Sequence, residues 1–506
     1  MKILFSANSW IYDMMLASFP VWEERGVSVS YDLLLEPQLI FAEKILKNKK
    51  KNIHCFFKYM IDNWSSADIS DLNIYRLEKE IGLRLQDALI YDVSLEKFHA
   101  LPVEKDKDGE YWKRYFVCAI SYYHKLIKDE LPDFVFGEGP HGMGMKILFH
   151  ICLKRRIPYF SFYGSYLEDR ATFAFGKNGQ SLALKYFFEH PEHLSQDDFS
   201  VAQKIIYNVR NKNQMMYYQA NYGKSISIFP NFSRFFVFMS ELIGFLGERL
   251  NRKKRLLQLL QGKVSPLWRL FAFRWHKYLN YKYIKKIQAE PQQDRGYVIY
   301  FNHLQPEATT SVWAPYNDNQ WNLIENIVKS LSGDLSLYIK EHSTDMGNRG
   351  KSFYQNLLIY PNLYLINPLV NSISLIKNSF LTFTISGTVG LESIILNKPI
   401  AVFSNCYYSF FEGVKVISRP EEIEEAIGWA RDWKGSKEED ILRFMAAYVR
   451  SAYPTKFACP NLESEKIIGD KNYLERFASG ILMFLDDYKK YNWNSIIEKM
   501  RNGGYY

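Results

Sequence analysis

The chain has 506 residues, 47% apolar and 24% charged. That balance excludes a disordered chain and leaves room for two or more domains with sizeable cores. The formal net charge is +9, yet twelve of the 64 basic residues fall between Arg249 and Ala289, a stretch with no acidic residue; the remainder is slightly acidic, so the charge marks one segment and is not a general basic bias.

The chain opens as strand Lys2–Ser6, helix Trp10–Arg25 and strand Val27–Tyr31. Met1-Lys2-Ile3-Leu4-Phe5-Ser6 lacks the longer apolar stretch and cleavage site of a signal peptide. The five cysteines (Cys55, Cys118, Cys152, Cys406, Cys459) are odd in number, scattered and without a CxxC pair, which argues against a disulfide framework or a cysteine-ligated zinc. Both features point to a reducing, cytoplasmic setting. Residues 35 to 130 read as mostly helical with polar turns. Strand Asp133–Phe136 then runs into the glycine-rich turn Gly137-Glu138-Gly139-Pro140-His141-Gly142, followed by helix Met143–Lys154 and strand Pro158–Phe162. Strands alternating with helices predict a parallel sheet covered on both faces.

From about Leu194 to Ala289 the alternation stops, leaving apolar and basic helix-like sequence. It resumes with strand Tyr297–Phe301, helix Asn319–Leu331, strand Leu335–Ile339, helix Gly350–Leu358 and strand Leu363–Ile366. Helix Val370–Asn378, strand Phe380–Ile385, helix Val389–Asn397 and strand Ile400–Phe403 complete it, and residues 420 to 506 are mainly helical. The expected fold class is α/β: two Rossmann-like, doubly wound domains with a helical, basic insertion and C-terminal helices. The expected boundaries are a first Rossmann-like domain at 1–190, a helical basic and aromatic segment at 191–290, a second Rossmann-like domain at 291–430 and C-terminal helices at 431–506. A ligand then belongs in the cleft between the carboxyl ends of the two sets of strands.

Three loops of the second unit fall where that cleft is expected. Asn302-His303-Leu304-Gln305-Pro306-Glu307 follows a strand and offers an amide and a carboxylate on a proline-stiffened turn. Lys340-Glu341-His342-Ser343 adds an imidazole and a cation suited to a phosphate. Ser386-Gly387-Thr388-Val389-Gly390-Leu391-Glu392 joins a buried strand to a helix, with hydroxyls and backbone N–H groups for an anion and Glu392 placed to accept ribose hydroxyls. Each loop by itself also suits a plain structural turn or helix cap.

These loops, with Ala308-Thr309-Thr310, Gln320, Phe353-Tyr354 and Lys398-Pro399, resemble bacterial capsular and surface polysaccharide synthesis proteins in matching order from Tyr297 to about Ile417. That family includes the Kdo transferases of capsule assembly, with the two-domain GT-B glycosyltransferase fold. The resemblance implies a nucleotide-activated donor, CMP-Kdo or a related acid sugar first, held by Gln305, Glu307, Lys340, His342, Ser386, Gly387, Thr388 and Glu392. It departs at Ser343, where the family usually has proline after the histidine, so the turn is less rigid.

In such a fold the other domain handles the acceptor hydroxyl, and Glu138 and His141 are the residues expected to do the acid–base work. Asp13 and Asp169-Arg170 are secondary candidates. No cofactor or metal is expected, and Asp106-Lys107-Asp108 reads as a charged turn. The basic segment, with Arg252-Lys253-Lys254-Arg255 after the apolar Phe235–Leu246, mixes cations with aromatics such as Trp268 and Trp275. That mixture suits an anionic membrane surface, so residues 249–289 are expected to make the protein peripheral on the inner face of the cell membrane. No nucleic-acid motif accompanies the charge, and no nucleic-acid partner is expected. The function so read is sugar transfer to a lipid-linked or growing glycan acceptor; a nucleotide-sugar epimerase of the same fold and a non-catalytic assembly or export partner are the alternatives.

Overall fold

The computed structural model describes residues 1–7, 12–34, 52–98, 108–167, 170–176, 179–214, 267–291, 296–305, 307–343, 345–455 and 470–502. The first unit holds β1 (Lys2–Ala7), β2 (Ser28–Leu33), β3 (Ile53–Cys55), β4 (Phe134–Gly137), β5 (Tyr159–Gly164) and β6 (Ala171–Phe175). Ile3 and Phe5 of β1 enter one apolar cluster and Leu4 another, and β4 repeats this with Phe134 and Phe136 against Val135. Strands apolar on both faces have to be covered on both sides, which parallel sheets with crossover helices achieve. The order is β3-β2-β1-β4-β5-β6, with β6 alone antiparallel to its neighbour among these strands.

The second unit holds β7 (Gly296–Phe301), β8 (Leu335–Lys340), β9 (Leu363–Ile366), β10 (Leu381–Thr384), β11 (Ile400–Val402) and β12 (Val414–Val416). All its pairs are parallel, in the order β12-β11-β10-β7-β8-β9. Each sheet therefore reverses its winding once, between β1 and β4 and between β7 and β10. Such a reversal splays the loops at the strand ends apart and opens a crevice there. Two Rossmann-like units of this kind are the GT-B arrangement. Glu138 and His141 follow β4; His303 to Glu307 follow β7 and Ser386 to Thr388 follow β10.

Several local expectations change. The helix expected over Trp10–Arg25 is two, Tyr12–Ala17 and Phe19–Glu24. Pro20 explains the break, because it lacks an N–H and is tolerated only in a helix's first turn. The stretch expected to be mostly helical contains β3, and β6 and β12 are short edge strands that the apolar pattern does not reveal. The C-terminal helix Lys471–Lys490 covers the first sheet: Phe484 packs its ring 4.7 Å from Phe160 and 4.5 Å from Phe173.

The helix Gln196–Lys212, opened by a capping box between Ser195 and Asp198, ties the halves together. Its Arg210 donates to the Ile395 carbonyl at 2.6 Å and pairs with Glu438 at 2.8 Å. The basic helix Leu267–Ile287 rests on the second unit through the fully buried Ile284, while Trp275 and Leu279 stay 45% and 44% exposed. Lys282 lies 4.7 Å from the centre of the Tyr278 ring, so part of the cation–aromatic mixture pairs within the helix. Phe235–Leu246 and Arg252–Arg255 lie outside the described residues. Among the described residues no helix is long and apolar enough to cross a membrane.

Candidate active site between two switch points

The loop after β7 is held by side chains that spend their hydrogen bonds on it. Gln320 accepts from the His303 backbone N–H at 2.7 Å and returns a bond to the His303 carbonyl at 3.0 Å, while Tyr300 donates to the same amide oxygen at 2.9 Å. The His303 ring is buried between strands: its Nε2 lies 2.8 Å from Thr384 Oγ1 and accepts from the Ile385 N–H at 3.2 Å. Burial, then the neighbouring His342 and Arg349, push its pKa down to about 3. A neutral ring accepting through Nε2 carries its proton on Nδ1, 3.4 Å from Thr309 Oγ1.

Arg349 joins this loop to the next. It donates to Glu341 and Asp345 at 2.6 Å each, and to the His303 carbonyl at 2.7 Å. Asn302 donates to the other Glu341 oxygen at 2.7 Å. Burial raises the Glu341 carboxyl and Arg349 counters it. Gln305 is buried, donating to the Asp318 carbonyl and accepting from Arg349 at 3.4 Å. Glu307 accepts from Thr309 at 2.7 Å; desolvation raises its carboxyl although 43% of its side chain is open to solvent.

Of the other residues expected at the donor, Lys340 is buried and donates to the Pro368 carbonyl at 2.9 Å. Burial lowers its ammonium to about 8 against the pull of Glu392 and Glu341. His342 is half-buried and lowered by desolvation, with Asp345 opposing. Ser386 is buried with an Oγ that has no hydrogen-bond partner among the described residues. Gly387 is required by contact: a Cβ there would lie 2.8 Å from Thr384 Oγ1. Thr388 opens the helix Val389–Ile395 without a side-chain cap. Glu392 is fully buried; Tyr166 of the first unit donates to its Oε1 at 3.1 Å, and its Oε2 has no partner among the described residues. Burial raises its carboxyl to about 7, with Tyr166 and Lys340 opposing.

Across the cleft the first unit gathers polar atoms without partners. Glu138 Oε1, His141 Nδ1 and the Tyr163 hydroxyl are buried and make no hydrogen bond among the described residues. Burial raises Glu138 to about 7 and, with Lys146, lowers His141 to about 4. Their turn is tight: a Cβ on Gly139 would lie 2.4 Å from His141 Nε2 and 2.7 Å from the Tyr163 hydroxyl. The Tyr91 ring lies 6.0 Å from the His141 ring, and burial raises the phenols of Tyr91 and Tyr163. Trp313 of the second unit lies 5.9 Å from the Tyr163 ring and also carries an unpartnered, buried N–H.

Tyr163, Trp313, His303, Thr384 and Arg349 were not singled out in the sequence. His303 had a signal, since it immediately follows β7; Tyr163 and Trp313 had none, among 36 tyrosines and 11 tryptophans. Arg170 donates to the Ala452 carbonyl at 3.2 Å, a bond between elements, and Asp13 lies in the helix Tyr12–Ala17. Asp108 caps the helix Gly109–Glu130 through the Tyr111 N–H at 2.9 Å. Asp106 and Asp169 lie outside the described residues. Among the described residues no group of three or more His, Cys, Asp or Glu is placed to hold a metal.

Fold and site together define a two-unit α/β protein whose polar loops converge from two switch points. Residues 270–426 match the family model described as capsule polysaccharide biosynthesis protein. The resemblance carried by the Gln305, His342 and Ser386 loops therefore holds over the second unit. Among solved structures, the chain is similar to a beta Kdo 2,4 transferase, KpsC of Thermosulfurimonas dismutans, at 13% identity over 62% of this chain and 79% of that one, with TM-score 0.34. The UDP-GlcNAc 2-epimerase of Neisseria meningitidis, bound to UDP-GlcNAc, is 13% identical over 92% and 98%, with TM-score 0.27. MurG of Acinetobacter baumannii is 10% identical over 89% and 94%, with TM-score 0.25. No curated protein matches the chain.

Proposed function

We propose that this chain is a glycosyltransferase of capsular or surface polysaccharide synthesis, moving a sugar from a nucleotide-activated donor to a lipid-linked or growing glycan. The observation that carries this reading is that both units leave buried polar atoms without partners at or near the carboxyl ends of their strands: Glu138, His141 and Tyr163 in the first, Ser386 and Glu392 in the second. Buried polar atoms without partners are costly, and they are tolerated where a ligand supplies the missing bonds. The family match over residues 270–426 supports polysaccharide synthesis as the setting.

In this mechanism the donor phosphate lies against Ser386, the Gly387 and Thr388 backbone and His342. Glu138, poised near neutrality, takes the proton of the acceptor hydroxyl. The hydroxyl oxygen forms the new bond to the anomeric carbon. The old anomeric C–O bond breaks, and its electron pair leaves on the nucleotide phosphate. Neutral His303 shapes the second unit's loops without adding charge. CMP is the first-choice nucleotide and a Kdo-like acid sugar the first-choice cargo, both on the resemblance of the three loops. Calorimetric titration with CMP tests the reading. Loss of a hydrogen bond to a charged group is worth about 1.5–3 kcal/mol, so His342→Ala and Ser386→Ala should each weaken binding by about tenfold or more. Unchanged affinity in both variants would sink it.

A further inference from the structure

A cavity of about 430 Å³ opens beside the switch point of the second unit, between the start of the helix Gln320–Lys329 and the turn that carries Arg349. It shares Gln305 and Arg349 with the loops described above, but none of Lys340, His342, Ser386 or Glu392 lines it. Its volume falls in the range of about 300–1,000 Å³ that small-molecule sites occupy.

Its chemistry is specific. Trp321 and Phe353 supply aromatic wall, while Asp318, Asn319, Gln305 and Asn348 supply carboxylate and amide groups. Two buried polar atoms in this wall have no partner among the described residues: Trp321 Nε1, a donor, and Asn348 Oδ1, an acceptor. A ligand satisfying both must donate as well as accept, as a hydroxyl does and a phosphate dianion does not. Charge points the same way. Arg349 is already neutralised by Glu341 and Asp345 at 2.6 Å each, so the cavity offers no spare cation to an anion. Phe353 has Arg349 stacked 5.4 Å from its ring centre, which steadies the wall.

We propose that this cavity is a saccharide subsite that takes a neutral, hydroxyl-rich sugar unit, held by the Trp321 ring and the amide and carboxylate groups around it. On the glycosyltransferase reading, on which this role rests, the unit belongs to the glycan acceptor beyond the residue that reacts. The subsite would hold the growing chain beside the donor loop without touching the nucleotide.

The full chain is titrated, without donor, with maltotriose, cellotriose and chitotriose, and separately with CMP, following binding by saturation-transfer NMR and calorimetry. At least one trisaccharide should bind the wild type. Trp321→Ala should weaken it about tenfold, near the 1.4 kcal/mol that one decade represents. Gly350→Trp should abolish it. Gly350 lines the cavity, and a Cβ there meets nothing closer than Ser352 Oγ at 3.8 Å, so a side chain can leave the backbone there without a clash; an unchanged thermal unfolding midpoint is required of the variant. CMP affinity should be the same in all three proteins. Absence of binding by every trisaccharide overturns the proposal, as does binding that survives Gly350→Trp. If both variants lose CMP instead, the cavity belongs to the nucleotide and the saccharide assignment falls. Failure of the glycosyltransferase reading would appear separately, as a wild type that binds trisaccharide but not CMP.

Discussion

The two switch points are built from similar residues and are held in opposite ways. After β7 and β8 a network of side chains fixes the loops: Gln320 clasps His303, Arg349 bridges Glu341 and Asp345, and Asn302 donates to the same Glu341. After β4, Glu138 and His141 each keep a buried atom without a partner among the described residues, as does Tyr163 on the neighbouring β5. A satisfied network in a low dielectric is rigid and cooperative, whereas an unsatisfied carboxyl is raised toward neutrality and becomes a usable base. The loops after β7 and β8 are thus organised to hold, and the turn after β4 to react.

Breaking the holding side should have the largest effect. Arg349→Met leaves two buried carboxylates facing each other, and removing one partner of a buried ion pair costs about 3–5 kcal/mol. Urea unfolding of the full chain should show a clearly lowered midpoint. Adding Glu341→Gln and Asp345→Asn should recover most of the loss; no recovery would mean that the arginine acts through packing alone.

The reacting side should respond in rate and hardly in stability. Glu138→Gln should slow CMP release from CMP-Kdo in the presence of acceptor by about 10²–10⁴-fold, the usual worth of a general base, with CMP affinity unchanged. Because a base works deprotonated, kcat/KM of the wild type should rise with pH through about 7, where burial places Glu138, and this limb should vanish in the variant. Activity that falls over the same interval would assign Glu138 the role of an acid.

The smallest effect probes how tightly the holding side is coupled. Thr384→Val keeps the shape but removes the hydroxyl that lies 2.8 Å from His303 Nε2 and accepts from the Gly387 N–H at 3.2 Å. A loss of about 1–3 kcal/mol in unfolding free energy is expected, with a few-fold weaker CMP binding. A thermally silent substitution would show that neighbouring bonds fix the histidine without it.

The β–α rhythm from Tyr297 to Phe403 was legible because buried parallel strands are short continuous apolar runs and each is followed by an amphipathic helix. The loops around Gln305, His342 and Ser386 were legible for a related reason: strand ends are where a doubly wound sheet exposes polar groups. Roles inside those loops were less so. Gln305 and Lys340, expected at the donor, also donate to the Asp318 and Pro368 carbonyls, bonds that no local pattern announces. Glu392, expected to accept ribose hydroxyls, accepts one bond from Tyr166 of the first unit, a partner 226 positions away in the chain. Arg349 carries no periodic signal, since its partners lie four and eight positions earlier on a turn.

Local chemistry in the sequence determined two doubly wound units, their strand-end loops and the concentration of basic charge between Arg249 and Ala289. Each follows from patterns a few residues long. Only the tertiary structure decided that the last helices return to cover the first sheet, that Tyr163 and Trp313 meet across the cleft, and which polar atoms are left unsatisfied. Those outcomes depend on contacts between residues more than a hundred positions apart, and on burial, which sets the protonation of Glu138 and Glu392 and is a property of the packed molecule alone.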